Sequence, residues 1–119
     1  MSKNVLVGNA FPLSLVRRAV HITPQKSDAF PRNAKLFSFW GHTNTLPHVN
    51  AFLGIDLTPK SDRIALTLND DLLPQLCGEV FQECWIISPN YTENFRPEIG
   101  EEISAQKIKS WTFLKVTWL

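Results

Sequence analysis

The sequence predicts one α/β domain with a mixed sheet of about five or six strands and a few short helices. Three observations predict it. Strand-length apolar runs recur along the chain, most of them ended by Gly, Pro, Asn or Ser. One stretch, Leu46 to Leu53, has helical spacing with signals at both ends. The length, 119 residues, holds one core; two cores would each be at the lower size limit. The whole chain, 1–119, is therefore read as one domain.

The elements follow in order. Asn4 to Ala10 reads as a first strand, and Leu13 to Arg18 as one helical turn behind Pro12. Val20-His21-Ile22-Thr23 alternates as a half-buried strand does. Residues 24–34 carry Pro24, Ser27, Asp28, Pro31 and Asn33 and read as loop. Lys35 to Trp40 is a short strand running into Gly41-His42. Asn44 or Thr45 then caps a helix through its side-chain oxygen, with Pro47 in the first turn. Leu46, Val49 and Leu53 form its buried face and Gly54 stops it. Arg63 to Leu68 is a strand, Asn69 to Gly78 a loop, and Val80 to Ser88 a strand buried on both faces. Residues 89–100 are polar and Pro-rich. Ile103 to Lys109 is read as a short helix, and Trp111 to Leu119 closes the chain as a strand.

Composition excludes several classes. Hydrophobic residues at 44% and charged residues at 19% exclude a disordered chain. A net charge of +1 argues against a gripper of DNA or other long polyanions, which is strongly basic. The charge is uneven, however. Residues 1–63 hold eight cations against three acids, and residues 64–119 hold four against eight. Such asymmetry suits a small anionic ligand, or simply solvates two faces. No apolar run approaches the ~20 residues of a membrane span, and no targeting signal is visible. Cys77 and Cys84 fit no metal pattern; their number allows one disulfide, but they read more readily as buried, reduced thiols of a cytoplasmic protein. No His, Cys, Asp or Glu grouping has ligand spacing, so no metal or other cofactor is expected.

The stretch Phe39-Trp40-Gly41-His42-Thr43-Asn44-Thr45 brings a strand end, a glycine, a histidine and a helix start within a few residues. Gly41 lets a ligand approach the backbone, and free amides at a helix start suit phosphate. His42 would stand beside it with a pKa suited to proton transfer. The alternative is an ordinary strand-to-helix turn. Ser14 would be a nucleophile only within reach of His42. Trp85 and Tyr91 are candidates to stack a base, with burial of Trp85 the stronger expectation.

Taken in order, these motifs resemble the small type III anti-CRISPR ring nucleases. The resemblance rests on Val5-Leu6-Val7-Gly8-Asn9-Ala10-Phe11, Gly41-His42-Thr43-Asn44-Thr45, Leu53-Gly54, Asp62-Arg63-Ile64 and Arg96-Pro97-Glu98-Ile99-Gly100. It implies a compact α/β homodimer that binds cyclic tetra-adenylate and cuts it without metal. It would thereby silence type III CRISPR signalling in a prokaryotic cytoplasm, encoded by a virus or by the host. It implies that His42 is the catalytic histidine and that Asn9 lines the pocket. It further implies that Arg63 and Arg96 hold phosphate. Phe11, Ser14, Gly41, Thr43, Asn44, Thr45 and Glu98 complete the expected ligand-binding set. The chain departs from the pattern at Pro12-Leu13-Ser14, where the family carries Ser-x-Asn. It departs again at Glu98, one residue early relative to Gly100. Two other classes stand beside the enzyme: a sponge that holds the messenger intact, and a structural or interaction protein with no nucleotide ligand.

Overall fold

The computed structural model describes residues 3–11, 13–41, 43–60, 66–92, 95 and 102–119. In chain order the strands are β1 (Asn4–Gly8), β2 (Val20–Gln25) and β3 (Lys35–Ser38), followed by helix α1 (Leu46–Leu53). Then come β4 (Thr67–Leu68), β5 (Pro74–Leu76), β6 (Glu79–Val80), β7 (Glu83–Tyr91) and β8 (Ile108–Trp118). The main sheet has the order β2-β8-β7-β1-β3. β1 runs parallel to both β3 and β7, and β8 runs antiparallel to β7 and β2, so the sheet is mixed as expected.

The alternation along the strands divides the core into two faces. Val5, Val7, Trp85, Ile87 and Phe113 point to one face, where Leu46, Val49 and Leu53 of α1 cover them. Leu6, Cys84, Ile86, Val116 and Trp118 point to the other, covered by Leu73, Leu76 and Phe81 of the small sheet β4-β5-β6 and its flanks. Each such side chain contributes roughly 1.5–3 kcal/mol on burial. The helix ends as its sequence predicts: Gly54 takes a left-handed φ of 67° and donates its amide to Asn50.

Several boundaries differ from expectation. Thr45 is the N-cap residue, but its hydroxyl makes no capping bond. The segment read as the loop Asn69–Gly78 contains β5, which pairs with β4 and β6. Its turn, Cys77-Gly78, has φ of 53° and 80°, which is the backbone of a tight two-residue hairpin. The strand read as Val80–Ser88 is divided at Phe81-Gln82, where the chain passes from the small sheet into β7. β7 then continues through Pro89 to Tyr91, into a region read as loop. Proline is tolerated there because β1 stops opposite Ile86 and leaves that side of β7 open. Ile103–Lys109 is not a helix beyond one 3₁₀ turn, Ala105–Lys107; pairing with the extended β7 draws Ile108 onward into β8. Of the strand expected over Arg63–Leu68, Thr67–Leu68 is found, and residues 61–65 lie outside the described residues. Pro24 lies within β2, at the sheet edge.

Both cysteines are free thiols, Cys77 exposed and Cys84 buried. Burial, reinforced by the charge of Glu83, pushes the Cys84 thiol far above its ordinary range. No helix among the described residues is long and apolar enough to cross a membrane.

Candidate functional site

The parallel pairing of β1 and β3, with Val7 opposite Ser38, makes both strands end on the same side of the sheet. In open α/β sheets ligands collect at such carboxyl ends. Gly8 leaves room there for a neighbour: a β-carbon on it would lie 2.5 Å from the ring of Phe39 and displace that ring. With β1 and β3 paired side by side, Asn9 reaches across, and its Oδ1 accepts the Gly41 amide at 2.7 Å. One side chain thus ties the first motif, Asn9-Ala10-Phe11, to the second, Gly41 onward.

The turn after Gly41 is anchored from beneath. Trp40 is wholly buried, and its indole N–H donates to Thr45 Oγ1 at 3.1 Å. The Thr45 hydroxyl is therefore engaged inside the fold, and the residue is only 2% exposed. Thr43 and Asn44 remain at the surface. They line an open cleft of about 370 Å³ with Pro47, His48, Glu102 and Ile103. His48 Nε2 hydrogen-bonds the Ile103 carbonyl, which fastens the segment entering β8 to the helix. That bond requires a proton on Nε2, since a carbonyl only accepts.

The remaining expected residues fall in different places. Phe11 turns into the core face covered by the small sheet and lies stacked with Trp118, with ring centres 6.1 Å apart. Ser14 sits exposed on the 3₁₀ turn Leu13–Leu15. His42, Arg63, Arg96 and Glu98 lie outside the described residues. Trp85 is buried, as expected. Tyr91 is half-buried and meets Phe95 edge-on.

One residue at this end was not singled out from the sequence. The Lys60 amide donates to the Trp40 carbonyl at 2.9 Å, and Pro59 forms a parallel bridge with Trp40. These contacts bring the Lys60 side chain over Gly41. A lysine in a loop between Pro59 and Ser61 has no pattern to betray it; only the tertiary bridge places it.

A second polar cluster lies at the opposite end of β1. Glu83, 7% exposed, forms ion pairs with Lys3 at 2.5 Å and Lys115 at 3.6 Å. It also accepts the Trp85 indole N–H at 2.9 Å. Burial alone would raise its pKa. The hydrogen bonds from Lys3 and Trp85 and the two lysine charges outweigh that and hold the carboxyl below its ordinary range. Among the described residues, no group of three or more His, Cys, Asp or Glu side chains is placed to hold a metal.

The fold has a counterpart among solved structures: B116 of Sulfolobus turreted icosahedral virus. The alignment covers 98% of this chain and 99% of that chain, with a TM-score of 0.60 and 20% sequence identity. No protein-family model and no curated protein matches the sequence. The small single-domain α/β architecture is therefore shared with a viral protein.

Proposed function

We propose that the protein is a metal-independent ring nuclease that binds a cyclic oligoadenylate, with cyclic tetra-adenylate the favoured ring. The observation that carries this reading is the Asn9–Gly41 hydrogen bond. It joins, at one end of the parallel strands, two segments whose motifs resemble ring nucleases. The viral source of B116 supports a role in a virus that counters its host's signalling.

The chemistry suits the residues. A ribonucleotide ring carries its own nucleophile, the 2′-hydroxyl. Held in line, that oxygen bonds to phosphorus while the bond from phosphorus to the 5′-oxygen breaks. The 2′-proton passes to solvent, and His42 protonates the departing 5′-oxygen. Arg63 and Arg96 neutralise charge on the phosphoryl oxygens, and Thr43 and Asn44 add polar contacts. Gly41 serves as backbone clearance, because its own amide is already given to Asn9. The products are linear and end in a 2′,3′-cyclic phosphate. A homodimer would present two equivalent sites to a ring of near-fourfold symmetry.

The test is one incubation with cyclic tri-, tetra- and hexa-adenylate in EDTA, followed by chromatography. Conversion of one ring to linear products is the expected result. An intact ring that stays bound to the protein would replace the nuclease with a sponge. Neither binding nor cleavage of any ring would end both readings and leave an interaction protein.

A further inference from the structure

We propose that Lys60 is a phosphate-binding residue of this site, and that the side-chain-free face of Gly41 forms a notch for one phosphoryl oxygen between Lys60 and Asn9. The proposal rests on the ring-nuclease reading for the identity of the ligand, but its geometry stands apart from that reading.

The notch is defined by what surrounds the missing side chain. A β-carbon built on Gly41 would lie 3.6 Å from Lys60 Cε, 3.9 Å from Lys60 Nζ and 3.8 Å from Asn9 Oδ1. These are ordinary contact distances. A single small group fits there against an ammonium: outside the glycine's own chain neighbours, the nearest atoms belong to the side chains of Lys60 and Asn9. Lys60 has no acidic partner among the described residues, whereas Lys3, Lys35 and Lys115 all pair with glutamates. An ammonium held over a glycine, with no carboxylate beside it among the described residues, is a ready partner for an anion.

The ammonium is also carried on a fixed support. Asn50 of α1 grips the preceding segment twice: its Nδ2 donates to the Leu57 carbonyl at 3.0 Å, and its Oδ1 accepts the Leu57 amide at 2.8 Å. Leu57 itself is buried. Three residues on, the Lys60 amide is bonded to Trp40, which is buried beneath the same turn. The backbone that bears Lys60 is thus pinned to the helix and to the end of β3, and only the side chain is free to adjust. Prior fixing of this kind lowers the ordering cost of binding an anion. Asn9 Oδ1, already engaged by the Gly41 amide, sets the opposite wall. As an oxygen it steers the anion toward the lysine side of the notch.

The experiment compares the wild type with Lys60→Gln, Lys60→Arg and Gly41→Ala. Two probes are used: cyclic tetra-adenylate by calorimetry over a range of salt, and inorganic pyrophosphate by the backbone amide NMR shifts at positions 9 and 41. Lys60→Gln is expected to weaken ring binding by about tenfold, the size of one charge-assisted contact. It should also flatten the log–log salt dependence by about 0.7. Lys60→Arg should retain most of the affinity. Gly41→Ala, which fills the notch without a clash, should weaken both probes while leaving the melting temperature unchanged. If the wild type binds the ring and Lys60→Gln binds it equally well, the proposal is overturned and the ring-nuclease reading stands. If the wild type binds no ring, that reading fails, and pyrophosphate decides the notch by itself. Shifts at positions 9 and 41 that vanish in Lys60→Gln support the notch; their absence in the wild type removes it.

Discussion

The two ends of β1 carry polar clusters built on opposite logic. At the start, Glu83 is enclosed by two lysines and an indole N–H, each acting on the same carboxylate. At the finish, Asn9 Oδ1 accepts the Gly41 amide, and Lys60 stands over them with no acid paired to it among the described residues. A closed cluster stabilises the fold and offers little to a ligand. An open one leaves a charge whose best partner is an anion from outside. Polar residues in a small domain are thus best sorted by which of their partners the fold already supplies.

The largest effect is expected from opening the closed end. Glu83→Ala leaves the buried Trp85 N–H without its acceptor, while the largely exposed Lys3 regains water. The loss should be about 2 kcal/mol in urea unfolding, with ring binding unchanged. Equal loss of binding would show that the two ends are not separable. The acid limb of stability should follow the same cluster. The folded carboxyl of Glu83 titrates below its unfolded counterpart. Its contribution is therefore complete above the unfolded glutamate pKa and is lost as pH falls through the folded value. Melting curves at descending pH should show this, and Glu83→Gln should flatten the acid limb.

At the open end the balance reverses. Asn9→Ala removes one exposed hydrogen bond and should cost about 1 kcal/mol or less. Under the proposed function, ring turnover should nonetheless fall by more than about tenfold, because the Gly41 turn loses its tie to β1. Retention of full turnover would mean that this hydrogen bond is not what aligns the site. The smallest effect calibrates the rest, at a residue that belongs to neither cluster. Cys77 holds a φ of 53° that asparagine tolerates better. Cys77→Asn should raise stability by roughly 0.5 kcal/mol and leave turnover and salt dependence untouched.

What could be read from the sequence follows from the range of the forces involved. α1 was legible because its signals are local: Leu46, Val49 and Leu53 on one face, and Gly54 at the stop. β1, β2, β3 and the main run of β8 were legible from short apolar or alternating segments. β5 was not, because Pro74-Gln75-Leu76 is too short to show a period, and its strand character comes from partners on both sides. The early start of β8 at Ile108 was hidden for the same reason, being set by Tyr91 across the sheet. At the candidate site, Gly41 is singled out by its turn and Asn9 by the resemblance, but their contact spans 32 positions and no local signal shows it. The inward turn of the Thr45 hydroxyl could not be read either, since it depends on where the Trp40 ring is buried. Lys60 depended wholly on tertiary pairing with Trp40.

Pro24 has a consequence for how copies of this molecule can meet. It sits in β2, the outermost strand beyond β8, and brings no N–H to its position. An approaching strand would find the row of donors interrupted there, so open-ended accretion along this border is disfavoured. Copies joined on that side must recognise each other by surface shape and side chains. Assembly of that kind closes after a fixed number of subunits more readily than a growing ribbon does.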